Sequence, residues 1–211
     1  LEGEASYDED LWSQIIEMGF TATAIPEEYG GLGLGYLELC VIAEELGRSL
    51  APTPFSSSVY LASEAIINFG DESQKESFLP GLASGEKIGA FAHSETNTSP
   101  TEANINCTFS GGTLSGTKIA VADGDVANTF IVTANNGSGV SLYLVDGTAD
   151  GVQIEPQTTL DPSRSHASIT FSNTPASELK SEWSDVLSLL DRAHPSTKRR
   201  TRVSKKDGAA T

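Results

Sequence analysis

The sequence contains few of the residues that define several common classes of protein. Its 211 residues include two cysteines and three histidines, spread along the chain, so neither a disulfide framework nor a metal site is predicted. No apolar run approaches the roughly 20 residues that span a bilayer, and the first residues lack the basic start of a signal peptide. We therefore expect a soluble, cytoplasmic protein with no membrane span.

Basic residues are also scarce, and almost half of them lie at one end. The chain has 13 Lys and Arg against 29 Asp and Glu, a net charge of −16. Six of these 13 follow His194, so residues 1–193 carry −21 and the last 18 residues carry +5. An acidic body repels phosphate backbones, so no nucleic-acid partner is expected. The apolar-poor segment 194–211 is predicted to be a disordered basic tail.

Helical periodicity dominates the first third of the chain. Ser6 and Glu9 have the spacing of a capping box, and the helix that follows is predicted to end at Gly19. Residues 36–47 are apolar nearly all round, which predicts a helix buried on several sides. Two further helices are predicted, one from Ser57 or Ser58 to Phe69, and one that Asp71 and Gln74 cap and that ends at Leu79-Pro80.

After Gly85 the pattern becomes that of short β-strands separated by Gly- and Asn-containing turns. Seven such segments predict an antiparallel sandwich or barrel, and hence an α+β fold with a helical domain first. From Glu178 the helical period returns, with an apolar face that no following segment would cover. The predicted strands are 88–92, 105–109, 118–121, 129–133, 140–145, 152–154 and 168–171.

Generic sequence motifs do not indicate a function. The glycines within 31–35 lack the third glycine and the preceding strand of a dinucleotide-binding turn. Residues 111–118 have Thr and Lys in the wrong order for a phosphate-binding loop and lie in a predicted hairpin. His93, in a strand pattern, is expected to be a hydrogen-bonded core residue rather than a catalyst.

Several longer runs, in a fixed order, resemble the acyl-CoA dehydrogenase family. They are PEEYGGLG at 26–33, EELGR at 44–48, LPGLASGE at 79–86 and GTK at 116–118. The resemblance covers roughly residues 8–193. It implies an N-terminal helical domain (1–86), a middle β-barrel domain (87–177), the start of the first helix of a C-terminal domain (178–193) and the off-pattern tail (194–211).

Two shorter runs refine this resemblance. Residues 49–55 and 160–164 look like the branch of the family that acts on bulky, ring-bearing or steroid-like acyl chains, which implies a role in fatty acid or steroid side-chain degradation. In parts of that branch an active subunit pairs with a degenerate one.

The resemblance also implies the chemistry of the family. FAD removes the α and β hydrogens of an acyl-CoA thioester: a carboxylate base takes the α proton and the flavin takes the β hydrogen as hydride. The base belongs to the C-terminal domain, so no catalytic residue is assigned within 1–193. The family's flavin positions correspond to Phe91, His93, Ser94, Ala120 and Ala122, and its substrate-binding positions include Ser99 and Pro100.

This chain departs from the family at several of those positions. Pro100 has no backbone N–H, Ala120 stands where the family has a stacking indole, and Ala122 lacks a hydroxyl. We therefore expect weak or absent FAD binding, and an inactive polypeptide whose C-terminal domain is missing, either through a frameshift or by nature. The alternatives are a non-catalytic partner subunit that docks through its helix after Glu178, and a redox-inactive acyl-CoA binder. A homo-oligomer, or a complex with a full-length relative, would fit these readings.

Overall fold

The computed structural model describes residues 6–161 and 163–193. The expectation of a disordered basic tail at 194–211 lies outside these residues. Within them, helices α1 to α4 and a π-helix come first, an eight-stranded sheet follows, and α5 ends the described chain. The helices are α1 (Glu9–Glu17), α2 (Tyr36–Arg48), the π-helix (Ser56–Ser63), α3 (Glu64–Phe69), α4 (Glu72–Ala83) and α5 (Trp183–Ala193), with 3-10 turns at Glu27–Tyr29 and Glu102–Asn104.

The helix starts follow local side-chain chemistry. In α4 the predicted capping box is present: Gln74 N–H donates to Asp71 Oδ1 at 2.9 Å, and Asp71 N–H donates to Gln74 Oε1 at 2.8 Å. In α1 the cap is Asp8, not Ser6, because Leu11 N–H donates to Asp8 Oδ1. The predicted end of α4 at Pro80 is wrong, since the helix continues through Pro80 to Ala83.

The prediction that α2 is buried on several sides is also wrong. Leu39 is its only buried residue, whereas Leu37 and Val41 are 75% and 58% exposed. The apolar composition of the helix predicts burial, but only one side of it packs against the rest of the described chain. An apolar face is therefore left on the surface.

The sheet confirms the α+β fold class. Its order is β6-β7-β3-β2-β4-β5-β8, with β1 beside β4. Most pairs are antiparallel, but β1 and β2 each pair with β4 in parallel, so the sheet is mixed. The strands are β1 (Gly89–Ala92), β2 (Thr108–Ser110), β3 (Thr113–Ala122), β4 (Thr129–Asn135), β5 (Val140–Asp146), β6 (Val152–Gln157), β7 (His166–Pro175) and β8 (Ser177–Leu179).

The last helix differs from its prediction in extent and in packing. Residues 177–179 form β8, so the helix begins at Trp183 rather than after Glu178. Val186 and Leu189 are fully buried in a core cluster that also contains Ile66 and Leu142. Most of the apolar face of α5 is thus covered by the π-helix and by β5, although Leu187 stays exposed, which corrects the expectation that this whole face is free for docking.

Candidate functional site

The two segments that the family resemblance assigns to flavin lie next to each other. The chain leaving β1 runs beside β3, where the Ile119 N–H donates to the Ser94 carbonyl oxygen at 2.8 Å. This bond places Ser94 next to the β3 residue that precedes Ala120. The structure therefore brings together two segments that are about 25 residues apart in the sequence, while their role in binding flavin stays a prediction.

A buried polar cluster fixes this junction. The Lys118 ammonium is 2.7 Å from Glu95 Oε1 and 3.0 Å from Thr133 Oγ1, and it also donates to the His93 carbonyl. The Glu95 carboxylate accepts two backbone N–H bonds, from Asn106 and Cys107. Burial lowers the pKa of Lys118. Burial alone would raise the pKa of Glu95, but the hydrogen bonds from Lys118 and from the backbone hold it below its usual value.

The ring of His93 makes contacts within the protein. It stacks on Trp183 with a centroid distance of 5.7 Å, and its Nδ1 lies 3.3 Å from Thr133 Oγ1. Burial, together with the nearby Lys118 charge, lowers the pKa of His93 to about 4, so the ring is neutral at pH 7. Phe91 is 9% exposed and belongs to the core under β5. Both rings pack against other side chains of the described protein, and their role in binding flavin stays a prediction.

Ala120 and Ala122 lie where β3 is interrupted by a bulge. Ala120 has a left-handed φ of 51°, and its N–H donates to the Gln157 side chain at 3.2 Å. Ala120 is exposed and Ala122 half-buried, and both carry only a methyl group. Ser94 keeps a side-chain hydroxyl at this junction, whereas Ala120 and Ala122 have none and Pro100 lacks a backbone N–H. Weak binding of FAD by these residues stays a prediction.

The two predicted substrate positions are in the loop between β1 and β2. Ser99 is exposed, and its carbonyl accepts from Asn104 Nδ2 at 3.2 Å. Asn104 also accepts from Thr101 N–H through its side-chain oxygen, at 2.6 Å. The loop is therefore held by its own polar groups, and the role of Ser99 and Pro100 remains a prediction.

Sequence reasoning missed an ion-pair network beside this region. Arg164 donates to Asp123 Oδ2 at 2.7 Å, and the Ser57 hydroxyl donates to the same carboxylate while accepting from Arg164 at 2.7 Å. Asp123 is 3% exposed, so the carboxylate is almost entirely desolvated. Arg164 stood in a motif of the family branch, but nothing in the sequence paired it with Asp123 or with the start of the π-helix.

Two adjoining cavities open between α2 and the π-helix. One, about 570 Å³, is here called the Arg192 cavity, and the other, about 600 Å³, the Arg164 cavity. Ala43 and Tyr60 line both. The Arg192 cavity is lined by Tyr36, Leu39, Cys40, Ala43, Glu44, Tyr60, Glu64, Arg192 and Ala193. The Arg164 cavity is lined by Ala43, Leu46, Gly47, Leu50, Ala51, Pro52, Thr53, Phe55, Ser56, Tyr60, Asp161, Ser163 and Arg164.

Two other kinds of feature are absent from the described residues. Across 6–161 and 163–193, no group of three or more His, Cys, Asp or Glu residues could hold a metal ion. No helix in the same residues has the length and hydropathy needed to cross a membrane.

Comparison with known proteins places the chain in a family. Residues 1–86 match the family model described as acyl-CoA dehydrogenase, N-terminal domain. Acyl-CoA dehydrogenase FadE27 of Mycobacterium tuberculosis (strain ATCC 25618 / H37Rv) is 34% identical over 152 residues, which cover 72% of this chain and 40% of that protein.

Solved structures agree with this match. The Tcur3481-Tcur3483 steroid ACAD G363A variant has a TM-score of 0.80 and 32% identity over 91% of this chain and 53% of its own. The ChsE4-ChsE5 complex from Mycobacterium tuberculosis has a TM-score of 0.77 and 27% identity over 90% and 52%. A glutaryl-CoA dehydrogenase from Mycobacterium smegmatis in complex with FADH2 has a TM-score of 0.76 and 25% identity over 89% and 52%.

The helical region and the mixed sheet have the fold of the acyl-CoA dehydrogenase structures that they match. The chain belongs to the acyl-CoA dehydrogenase family. It spans about two fifths of the length of the curated relatives and about half the length of the solved structures that it matches.

Proposed function

We propose that this chain supplies the helical and β-sheet walls of an acyl-CoA dehydrogenase-type protein, and that by itself it holds FAD weakly and does not oxidise acyl-CoA. The observation that carries the proposal is the junction of Ser94 with β3, where the flavin segments of the family meet but Ala120 and Ala122 offer neither a stacking ring nor a hydroxyl. We also propose the division into domains at 1–86 and 87–177, with a further helical region from about 178. The cytoplasm remains the proposed location.

The adjoining cavities support the acyl-CoA part of this proposal. Each cavity, of about 570 and 600 Å³, lies within the size range of small-molecule sites, and the walls of both are mostly apolar, as an acyl group requires. The Arg164 cavity borders the start of the π-helix at Ser56, and the neighbouring Ser57 hydroxyl is 3.4 Å from the Ala122 carbonyl oxygen. An acyl group in this cavity would lie beside the predicted flavin segment.

Flavin titration tests the proposal. The purified chain is titrated with FAD, and flavin fluorescence quenching gives the Kd. The double variant Ala120→Trp/Ala122→Thr is expected to bind FAD at least about tenfold more tightly, because it restores a stacking ring and a hydrogen-bond donor. The matched control, Ala120→Trp/Ala122→Val, has the same shape without the hydroxyl and should recover only the stacking part. A wild-type chain that purifies with bound FAD and reduces an electron acceptor when given an acyl-CoA would refute the proposal.

A second candidate function is that of a non-catalytic partner subunit. One of the similar solved structures is a complex of two named proteins, and α2 exposes Leu37 and Val41 on a face that could meet another chain. Co-purification of the chain with a co-expressed full-length relative would support this function, and loss of the complex in Leu37→Glu but not in the exposed control Ser188→Glu would place the contact on α2. A monomer that binds no such relative counts against it.

A further inference from the structure

The turn between β4 and β5 contains an asparagine that is followed by glycine. Of the eight asparagines in the sequence, Asn136 alone has this neighbour. Asn136 and Gly137 are both exposed, and a Cβ added to Gly137 would meet none of the described atoms within 4 Å. The backbone nitrogen of Gly137 is therefore open to approach by the side chain that precedes it.

Two hydrogen bonds hold the Asn136 side chain in a fixed orientation. The Ser138 N–H donates to Asn136 Oδ1 at 2.9 Å, and Asn136 Nδ2 donates to Glu178 Oε1 at 3.1 Å. A side chain that accepts from the N–H two residues further on folds back over its own backbone, so its amide carbon lies beside the intervening nitrogen of Gly137. The Ser138 N–H would also stabilise the negative charge that Oδ1 gains when this carbon is attacked.

The Gly137 nitrogen lies outside the hydrogen-bonded ladder of the sheet. Its N–H donates to the side-chain oxygen of Asn135 at 2.7 Å, and the pairing of β4 with β5 ends at Asn135 and Val140. The Asn136 N–H closes the turn by donating to the Gly139 carbonyl at 3.1 Å. The Gly137 nitrogen can therefore react without the loss of a bond between the strands.

We propose that Asn136 is a site of spontaneous modification, at which the side chain cyclises onto the Gly137 nitrogen and is then hydrolysed to aspartate or isoaspartate. The Gly137 nitrogen gives its proton to hydroxide and forms a bond to the Asn136 amide carbon. The bond from this carbon to Nδ2 breaks, and the nitrogen leaves as ammonia with a proton taken from water. Water then adds to either carbonyl of the succinimide and opens the ring. No electrons are transferred to another molecule, and water is the co-reactant.

The modification changes the contact between this turn and β8. Glu178 Oε1 accepts from Asn136 Nδ2 and also from the Tyr143 hydroxyl, at 3.2 Å. An aspartate at position 136 removes the first of these donors and places a second negative charge beside Glu178. Because Glu178 is exposed, salt screens the repulsion, and we expect a small fall in stability.

Incubation of the intact, folded chain in mildly alkaline buffer, followed by peptide mapping with mass spectrometry, tests the proposal. Aspartate and isoaspartate should accumulate at least about tenfold faster at Asn136 than at Asn173, which is also exposed but precedes the β-branched Thr174. Equal rates at the two asparagines would overturn the proposal. So would conversion of Asn136 in the chain unfolded by urea but not in the folded chain.

Variants assign the reaction to the Gly137 nitrogen. Gly137→Ala places a methyl group beside this nitrogen and should slow the modification at least about threefold. Gly112→Ala is the matched control, because Gly112 has a similar φ of 85° and equal space around it in another turn, and it should leave the rate at Asn136 unchanged. An unchanged rate in Gly137→Ala would overturn the assignment. If Gly137→Ala does not fold, the comparison of Asn136 with Asn173 still decides the question.

The consequence of the modification has its own test. Asn136→Asp should lower the urea midpoint at low salt, and Asn136→Asp/Glu178→Gln should recover part of that loss because one of the two charges is removed. Asn136→Ser removes the same donor without adding a charge, and its midpoint should depend less on salt than that of Asn136→Asp. Identical midpoints for the chain with Asn136 and for Asn136→Asp would contradict the expected change at the contact with Glu178.

Discussion

Lys118 is the residue whose environment is most unusual in this fold, since a fully buried lysine is rare unless it is paired. Its partner Glu95 also ties the chain after β1 to the backbone before β2. Replacing Glu95 by Gln should lower the free energy of unfolding by about 3 kcal/mol, because it leaves the Lys118 charge without a counter-ion. Urea denaturation followed by circular dichroism measures the loss.

The exposed pair of Glu44 and Arg48 provides the control. Their side chains are 71% and 65% exposed, and Glu44→Gln should change stability by less than about 0.5 kcal/mol. Equal losses in Glu95→Gln and Glu44→Gln would contradict the structural role assigned to the buried pair.

His93 should make stability depend on pH. Its pKa is about 4 in the folded chain against the usual 6.5, so below pH 6.5 the unfolded chain binds a proton that the folded chain does not. The stabilisation is therefore fully present above pH 6.5 and is lost as the pH falls towards 4, with a slope of at most about 1.4 kcal/mol per pH unit. His93→Asn keeps a side-chain acceptor for Thr133 but does not titrate. The difference between the two stability profiles over this interval should follow that slope, and parallel profiles would show that the imidazole is not neutral by burial.

At the scale of the element, α2 shows that an apolar composition does not by itself mean that a helix is buried. Leu37 and Leu39 are two residues apart on the same helix, one 75% and the other 2% exposed. Leu39→Ala should lower the free energy of unfolding by about 2–5 kcal/mol through the cavity that it leaves. Leu37→Ala should change it by less than about 0.5 kcal/mol. Comparable losses from both, measured by urea denaturation, would mean that the outer face of α2 is also packed, as the sequence alone suggested.

An element can be predicted from the sequence when the residues that form it are close together in the chain, and not when it depends on distant residues. The cap of α4 needs only Asp71 and Gln74, three residues apart, and it was predicted. The burial of α2 depends on what the rest of the fold places against it, and the apolar pattern could not show that one face has no neighbour. Strand β8 was missed because Ser177–Leu179 is short and leads directly into a helical pattern.

The candidate site also has parts that the sequence could predict and parts that it could not. The resemblance predicts that the segments at Ser94 and Ala120 contact flavin; the structure shows that they lie side by side, and their role stays a prediction. The network of Arg164, Asp123 and Ser57 joins residues 41 and more positions apart, so no local pattern could indicate it. These residues meet only when the loop before β7, the turn after β3 and the start of the π-helix are folded together.

At the scale of the whole molecule, the helical and sheet regions share both core clusters. One cluster combines Trp12 of α1 with Phe130 and Ile169 of the sheet, and the other combines Ile66 of α3 with Leu142 of β5. Backbone bonds cross the same boundary, since Lys180 N–H donates to the Phe69 carbonyl at 2.9 Å. Neither region could unfold without exposing the apolar surface of the other.

This shared packing predicts one cooperative transition, and the two tryptophans can report on it separately. Trp12 belongs to the first cluster and Trp183 packs against the second. In Trp183→Phe only Trp12 fluoresces, and in Trp12→Phe only Trp183 does. Within each variant, the urea midpoint from fluorescence should coincide with the midpoint from far-UV circular dichroism, because a two-state transition gives the same midpoint with every probe. If the Trp12 signal changed at a lower urea concentration than the circular dichroism of the same variant, the helical region would unfold as a separate unit and the shared cores would not bind the two regions into one.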